Sequence, residues 1–240
     1  YAITKDGYRF PNKEKTKIVT RGNYGYYVGA DQIVIPSSYC SKTGGIGFAF
    51  DVIDKLDGAP NQCGLYGSYL IVDGDTIFGQ ETNRVPFEST RYVNSHRDYD
   101  AYIKLRKKYH KSFRTNVNDL PIYENGKYQN GVIKANPGDT LDIHYITYDV
   151  AGNKSEIEFN LIVLKGAINN LDSISVGDDF LHPTETYTYE TESTILEFGY
   201  ASVYEPIQLN KQNLDHQILN SKIPVNRKYR IKERTTIDDD

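Results

Sequence analysis

Apolar and polar residues alternate with a period of two over much of the chain. Ile46, Phe48, Phe50 and Val52 alternate along residues 45–53, which predicts a strand with one buried face. Tyr69, Leu70, Ile71 and Val72 run into Asp73-Gly74-Asp75, and Thr76, Ile77 and Phe78 follow. This predicts a hairpin in which Gly74 supplies the positive φ of a tight turn. Leu141, Ile143 and Tyr145 alternate next; after turn chemistry at 149–154, Ile157, Phe159, Leu161 and Val163 alternate again. These two runs predict one long hairpin. Turn dipeptides recur between the runs, among them Asp57-Gly58, Asn125-Gly126 and Pro137-Gly138.

One segment departs from this pattern. Residues 97–111 contain Tyr99, Tyr102, Ile103 and Tyr109 and neither Gly nor Pro, which predicts a short helix inserted near 96–111. Ser95, with Asp98 three residues on, matches a capping box at its start. Beyond Val163 the stretch 166–179 is rich in Gly, Asn, Asp and Ser and reads as a linker. Further strands are expected at 186–190, 194–200, 203–209 and 228–232. The last of these lies so near the end that little chain follows to pair with it, which suggests a truncated C-terminus. The fold class read from these patterns is all-β: an Ig-like β-sandwich with one short inserted helix over 1–167, then a second, smaller or truncated β-domain over 168–240.

Composition changes the picture in three ways. With 21 Tyr and 9 Phe against no Trp, the aromatic load is of the strand-favouring kind. A net charge of -4 gives a global field that does not favour nucleic acid. No run approaches the roughly 18 apolar residues of a membrane-spanning helix. The chain begins at Tyr1, without an initiator or a signal peptide, and reads as a mature product or an excised piece.

Candidate chemistry is sparse. His96 and Asp100 form a His-x-x-x-Asp pair, but no His-x-His or His-Glu-x-x-His supplies a third zinc ligand. The alternative is that His96, with Asp98 or Asp100, serves a helix N-terminus. Asp73 and Asp75 resemble calcium-type pairs, but a full oxygen-ligand loop is missing, and turn chemistry accounts for them. No P-loop, Gly-x-Ser-x-Gly or Gly-x-Gly-x-x-Gly occurs. Two carboxylates converging for glycoside hydrolysis are not visible in sequence, and nothing selects a pair. Cys40 and Cys63 lie 23 residues apart in no Cys-x-x-Cys motif; they read either as a disulfide or as independent small residues.

The strongest charge feature is basic. Lys104, Arg106, Lys107, Lys108, Lys111 and Arg114 fall within eleven residues, with no acid from Ala101 to Asn118. On a helix, Lys104, Lys107, Lys108, Lys111 and Arg114 form a candidate contact for an anionic polymer or membrane surface; alternatively they are a solvated face whose tyrosines point inward. Tyrosines in strands also stack on sugars, Tyr24, Tyr26, Tyr27, Tyr187, Tyr189, Tyr200 and Tyr204 among the candidates, although strand tyrosines are more often structural.

Three motifs, in order, carry a resemblance. The first is Gly45-Ile46-Gly47-Phe48-Ala49-Phe50-Asp51 with Asp54-Lys55-Leu56-Asp57-Gly58-Ala59 and Gly64-Leu65-Tyr66. The second is Phe87-Glu88-Ser89-Thr90-Arg91-Tyr92-Val93-Asn94-Ser95-His96, followed by Asp98-Tyr99. The third is Tyr148-Asp149-Val150-Ala151-Gly152-Asn153-Lys154-Ser155. The third resembles the turn before the last strand of bacterial Ig-like domains, where Asp149 and Asn153 close side-chain-to-backbone turns and Gly152 goes left-handed. Together, and with Tyr200-Ala201-Ser202-Val203-Tyr204 after them, they resemble the region that follows the catalytic domain in Gram-negative lysostaphin-type zinc metalloendopeptidases, which are peptidoglycan hydrolases.

That resemblance implies a non-catalytic accessory region, located in the periplasm or on the cell envelope. Its implied partners are an attached or associated peptidase domain and peptidoglycan or another envelope glycan. The family's zinc ligands come from a His-x-x-x-Asp and a His-x-His on a preceding domain. This chain lacks the second, so no catalytic residue and no metal ligand carries over, and zinc is expected only in a catalytic domain outside this chain. Arg91, Tyr92 and Asn94 of the second motif, and Asp149, Gly152 and Asn153 of the third, are expected to be structural. Two other classes stay open: a free-standing glycan- or surface-binding module, and a hydrolase with non-sequential carboxylates.

Overall fold

A computed structural model describes residues 2–3, 18–20, 26–28, 31–37, 45–55, 58, 60, 62–124, 128–165, 180–181, 183, 185–190, 194–203, 207–208 and 230–233. The chain divides into two compact units, Tyr1–Ser173 and Ile174–Asp240. The principal elements of the first unit are β1 (Gln32–Ile35), β2 (Gly45–Ile46), β3 (Ala49–Asp51), β4 (Gly67–Val72), β5 (Asp75–Glu81), α1 (Val93–His96), α2 (Tyr99–Leu105), β6 (Tyr109–Lys111), β7 (Thr140–Tyr148) and β8 (Lys154–Val163). Those of the second are β9 (Tyr187–Glu190), β10 (Thr194–Phe198) and β11 (Arg230–Glu233). The fold is all-β with a small helical insertion.

Both expected hairpins form. β4 and β5 pair antiparallel around Asp73-Gly74, with Asp73 at φ 49° and Gly74 at φ 85°. Positive φ at both central residues is the turn that matches the right-handed twist of the flanking strands. β7 and β8 pair over their length, Thr140 opposite Ile162 through Tyr148 opposite Lys154. Their turn is closed as the sequence suggests: Asp149 Oδ1 accepts from the Asn153 backbone N–H at 2.9 Å, Oδ2 accepts from Asn153 Nδ2 at 2.7 Å, and Gly152 has φ 86°. One sheet joins the hairpins in the order β5-β4-β7-β8-β1, and β1 runs parallel to β8.

One face of this sheet is the core. Leu70, Ile143, Tyr145, Ile157, Phe159, Leu161 and Val163 point into it and meet Ile46, Phe50, Leu120, Ile122 and Ile133 from the opposing layer. Phe50 stacks on Tyr145 with centroids 3.6 Å apart, and Phe48 meets Phe159 edge-on at 5.4 Å. Among the described residues the opposing layer is not a second large sheet. It is built from short ladders, including β3 with β6, and from loops. The strand expected over 45–53 is accordingly broken into β2 and β3.

The inserted helix is shorter than expected and starts later. Asp98, not Ser95, is its N-cap, accepting the Ala101 N–H at 3.1 Å. The helix stops at Leu105 because Arg106 turns left-handed (φ 55°). Tyr109–Lys111 then joins β3 as a strand. Ahead of it, Phe87–Tyr92 forms a 3₁₀ turn leading into α1.

In the second unit β9, β10 and β11 form a three-stranded sheet over a small core of Leu181, Leu196, Phe198 and Val203. The expected strand near the C-terminus therefore has a partner: β11 pairs back onto β10, Thr194 opposite Glu233 through Glu197 opposite Arg230. Among the described residues no helix is long and apolar enough to cross a membrane.

Candidate functional site

The cations singled out in sequence are dispersed by the strand at 109–111. Lys111 is 1% exposed, and its Nζ donates to the backbone oxygen of Ser95 at 2.9 Å. It is a core residue and cannot meet a polymer. Arg114 donates from Nε to the Asn118 carbonyl at 2.8 Å and from Nη2 to Asp119 Oδ1 at 3.3 Å; its guanidinium lies 5.5 Å from the Tyr123 ring centre. Lys107 reaches back across the ladder to Asp51 Oδ2 at 3.0 Å. Lys108 is half-buried, and the side chain of Lys104 lies outside the described residues. Among the described residues, Lys111 and Arg114 are thus withdrawn from any shared basic face.

The second motif enters a buried polar network. Ser95 Oγ and Thr115 Oγ1 share a hydrogen bond at 2.9 Å. Asn118 Nδ2 donates to the Tyr123 hydroxyl at 2.9 Å and to the Tyr92 carbonyl at 3.4 Å, while its Oδ1 accepts the Leu120 N–H at 3.0 Å. The Tyr123 hydroxyl also lies 3.2 Å from His96 Nδ1. Burial, then the charges of His110, Arg97 and Lys111, hold His96 well below the usual imidazole range. Burial and then Arg97 bring His110 down to about 4. The two rings lie 5.6 Å apart. These groups are shut away from solvent and cross-link α1, β6 and the 115–123 loop.

Other motif residues fall differently. Arg91 is exposed, and Tyr92, Asn94 and Tyr99 are half-buried. Phe87 is 90% exposed at the head of the 3₁₀ turn. Cys63 is exposed and carries a free thiol, and Cys40 lies outside the described residues, as do Tyr24 and Tyr204. Among the described residues no three His, Cys, Asp or Glu side chains gather as a metal-binding group.

A cluster that sequence reading did not select sits on the other face of the large sheet. Tyr69 on β4 lies on the side opposite the buried Leu70. Its hydroxyl is 2.9 Å from Glu81 Oε1 and 2.9 Å from Glu124 Oε1. The Tyr148 hydroxyl donates to Glu81 Oε1 at 2.5 Å and lies 3.2 Å from Tyr69. A phenol has one proton, so Tyr69 serves one glutamate at a time. The two carboxylate oxygens thus stand within twice 2.9 Å of each other. Burial, then hydrogen bonding to Tyr148 and the glutamates, pushes Tyr69 far above the ordinary phenol range; burial and Glu81 push Tyr148 up to about 12.

The rings continue on both sides. Tyr66 lies 5.7 Å from Tyr148 and bonds Asn83 through its hydroxyl. Tyr128 meets Tyr69 edge-on at 6.0 Å. Two glycines make room. A Cβ at Gly67 would lie 2.4 Å from the Tyr148 ring, and one at Gly79 would lie 2.5 Å from the Tyr128 ring. Strand alternation places Tyr69 and Tyr148 on the outer face. Glu124 arrives from a loop whose backbone N–H bonds Gly79 O, a juxtaposition with no local signal in the sequence.

Compared with family models, curated proteins and solved structures, the chain matches none.

Proposed function

We propose that the chain is a non-catalytic accessory module of a cell-envelope protein resembling the peptidoglycan metalloendopeptidases, working outside the cytoplasm to position or regulate an attached peptidase or to contact envelope material. The observation that supports this reading most is the fate of the second motif. Ser95 and His96 are buried in hydrogen bonds that tie α1 to β6 and the 115–123 loop, and Asp98 caps α2. A motif used in this way is architectural, which fits a module whose catalysis is performed elsewhere.

A second reading, a free-standing glycan- or surface-binding β-module, is favoured by the half-exposed tyrosines on the outer face of the large sheet. Both readings are tested by co-sedimentation of the purified chain with sacculi, combined with assay of the supernatant and elemental analysis. The expected result is pelleting without release of soluble fragments, and no stoichiometric zinc. Fragment release abolished by Glu81→Gln or Glu124→Gln would make the chain a hydrolase. One tightly held zinc per chain, lost in His96→Ala, would overturn the non-catalytic reading. Failure to pellet would remove envelope contact.

A further inference from the structure

We infer that the outer face formed by Tyr66, Tyr148, Tyr69 and Tyr128, with Glu81 and Glu124 among them, is a carbohydrate-binding platform that takes linear pyranose chains. This assignment deepens the reading of the chain as a module that contacts envelope glycan, and it rests on that reading for its biological setting.

The geometry is that of a floor with two sides. Tyr69 and Tyr148 lie nearly parallel, 21° apart with centroids 5.9 Å from each other. Tyr66 is tilted 53° to Tyr148 at one end, and Tyr128 stands 80° to Tyr69 at the other. Gly67 and Gly79 are what let Tyr148 and Tyr128 lie down on the strands. All four rings are half-buried rather than packed away, so aromatic surface remains open to solvent. Such surface is costly to leave wet and useful to cover. Tyrosine also offers large contact area at the entropic cost of only two side-chain torsions.

The polar groups narrow the ligand class. A pyranose has a flat C–H face and a rim of hydroxyl donors, so it asks for ring faces beside fixed acceptors. Here the carboxylates are the acceptors, and tyrosine hydroxyls hold them in place: Tyr148 on Glu81, and Tyr69 on either Glu81 or Glu124. Hydrogen bonds to ionised acceptors are roughly twice as strong as neutral ones. An acceptor fixed before the ligand arrives also spares the ordering cost of binding. The rings follow one another in a row, Tyr66 to Tyr148 to Tyr69 to Tyr128. A row suits a linear chain of sugars better than a single cation, which asks for rings closing around one point.

The test titrates the full chain by calorimetry with two probes: chito-oligosaccharides, and peptide-free glycan strands prepared from peptidoglycan. Binding of both marks a general platform for β-linked N-acetylated sugars, and binding of the second alone marks an envelope ligand; either supports the assignment. Tyr66→Ala and Tyr128→Ala should each weaken binding about ten-fold, while Tyr66→Phe, which keeps the ring, should stay within about two-fold. Melting temperatures and circular dichroism establish that each variant is folded, and Tyr66, at the rim, is the variant least coupled to the fold. Absence of binding to either probe at millimolar concentration would overturn the assignment, as would equal affinities of the parent and a folded Tyr66→Ala/Tyr128→Ala chain. If that double variant still pellets with sacculi as the parent does, the envelope reading stands and the platform falls. If the chain binds chito-oligosaccharides through these tyrosines but does not pellet with sacculi, the platform stands and the envelope reading falls.

Discussion

Lys111 Nζ donates to the backbone carbonyl of Ser95 at 2.9 Å in a site where both residues are 1% exposed. One bond thus fastens β6 to the last turn of α1, with the ammonium also 5.8 Å from the Phe113 ring centre. A buried ammonium is tolerated only when it is paired or hydrogen-bonded. Lys111→Met, which keeps the stem and removes the donor, leaves the Ser95 carbonyl unsatisfied and should cost about 1–3 kcal/mol. Lys111→Glu places a carboxylate against that carbonyl and should prevent folding. Urea denaturation of the first and solubility with circular dichroism of the second check the pair; a Lys111→Glu chain as stable as the parent would mean that the side chain reaches water.

Acid should unfold the protein partly through His110. This ring is 6% exposed and packs near Arg97, Asp51, Lys108 and His96; burial first, then Arg97 and Lys108 against Asp51, brings it from 6.5 down to about 4. Because the folded value is depressed, its contribution is fully present above pH 6.5 and is lost as the pH falls through 4. The amount is on the order of 3 kcal/mol, and His96, shifted in the same direction, steepens the slope. Unfolding free energies between pH 7 and 4 should fall faster for the parent than for His110→Gln. Direct NMR titration showing His110 at its ordinary value would contradict the burial argument.

Three glycines should rank by what surrounds them. Gly131 has φ 75°, and a Cβ there would sit 2.0 Å from Ser112 O and 2.9 Å from Phe113 Cα, both backbone. Gly131→Ala should cost about 3 kcal/mol or more. Gly67→Ala meets only the Tyr148 ring, which can shift, so about 1–3 kcal/mol is expected. Gly152 has φ 86° but open space around it, and its replacement by Ala should cost about 1 kcal/mol. Denaturation midpoints of the three variants give the order directly.

Tyr69→Phe removes the hydroxyl that joins Glu81 and Glu124. Stability should fall by about 1–3 kcal/mol at neutral pH. Tyr148, raised to about 12, should ionise later than a free phenol. Its folded value lies above its unfolded one, so its contribution is present below pH 10 and lost as the pH rises through 12. Ultraviolet titration of the parent should show late-ionising phenols, one fewer in Tyr148→Phe.

The sequence by itself determined the two hairpins and the class of the fold. Each of their strands has one face in the core and one toward solvent, and side-chain direction alternates residue by residue, so burial is written locally as Leu141, Ile143, Tyr145 and Ile157, Phe159, Leu161. The turns were equally local: Asp73-Gly74 closes through positive φ at both residues, and Asp149 to Asn153 through the Asp149 side chain and the left-handed Gly152. The end of α2 was not legible. Nothing between Tyr99 and Lys111 breaks a helix by itself; the break comes because Tyr109–Lys111 pairs with Ala49–Asp51, about sixty residues earlier, and Arg106 accepts a left-handed conformation to allow it. That pairing also turns Lys111 from a surface cation into a core residue. The tyrosine–glutamate face belongs to the same category. Alternation places Tyr69 and Tyr148 on the outer side, but Glu124 joins them only where its loop docks on the edge strand β5. Which way a side chain points follows from backbone period and is local; which side chain it meets depends on the order of strands and loops, and only tertiary packing decides that.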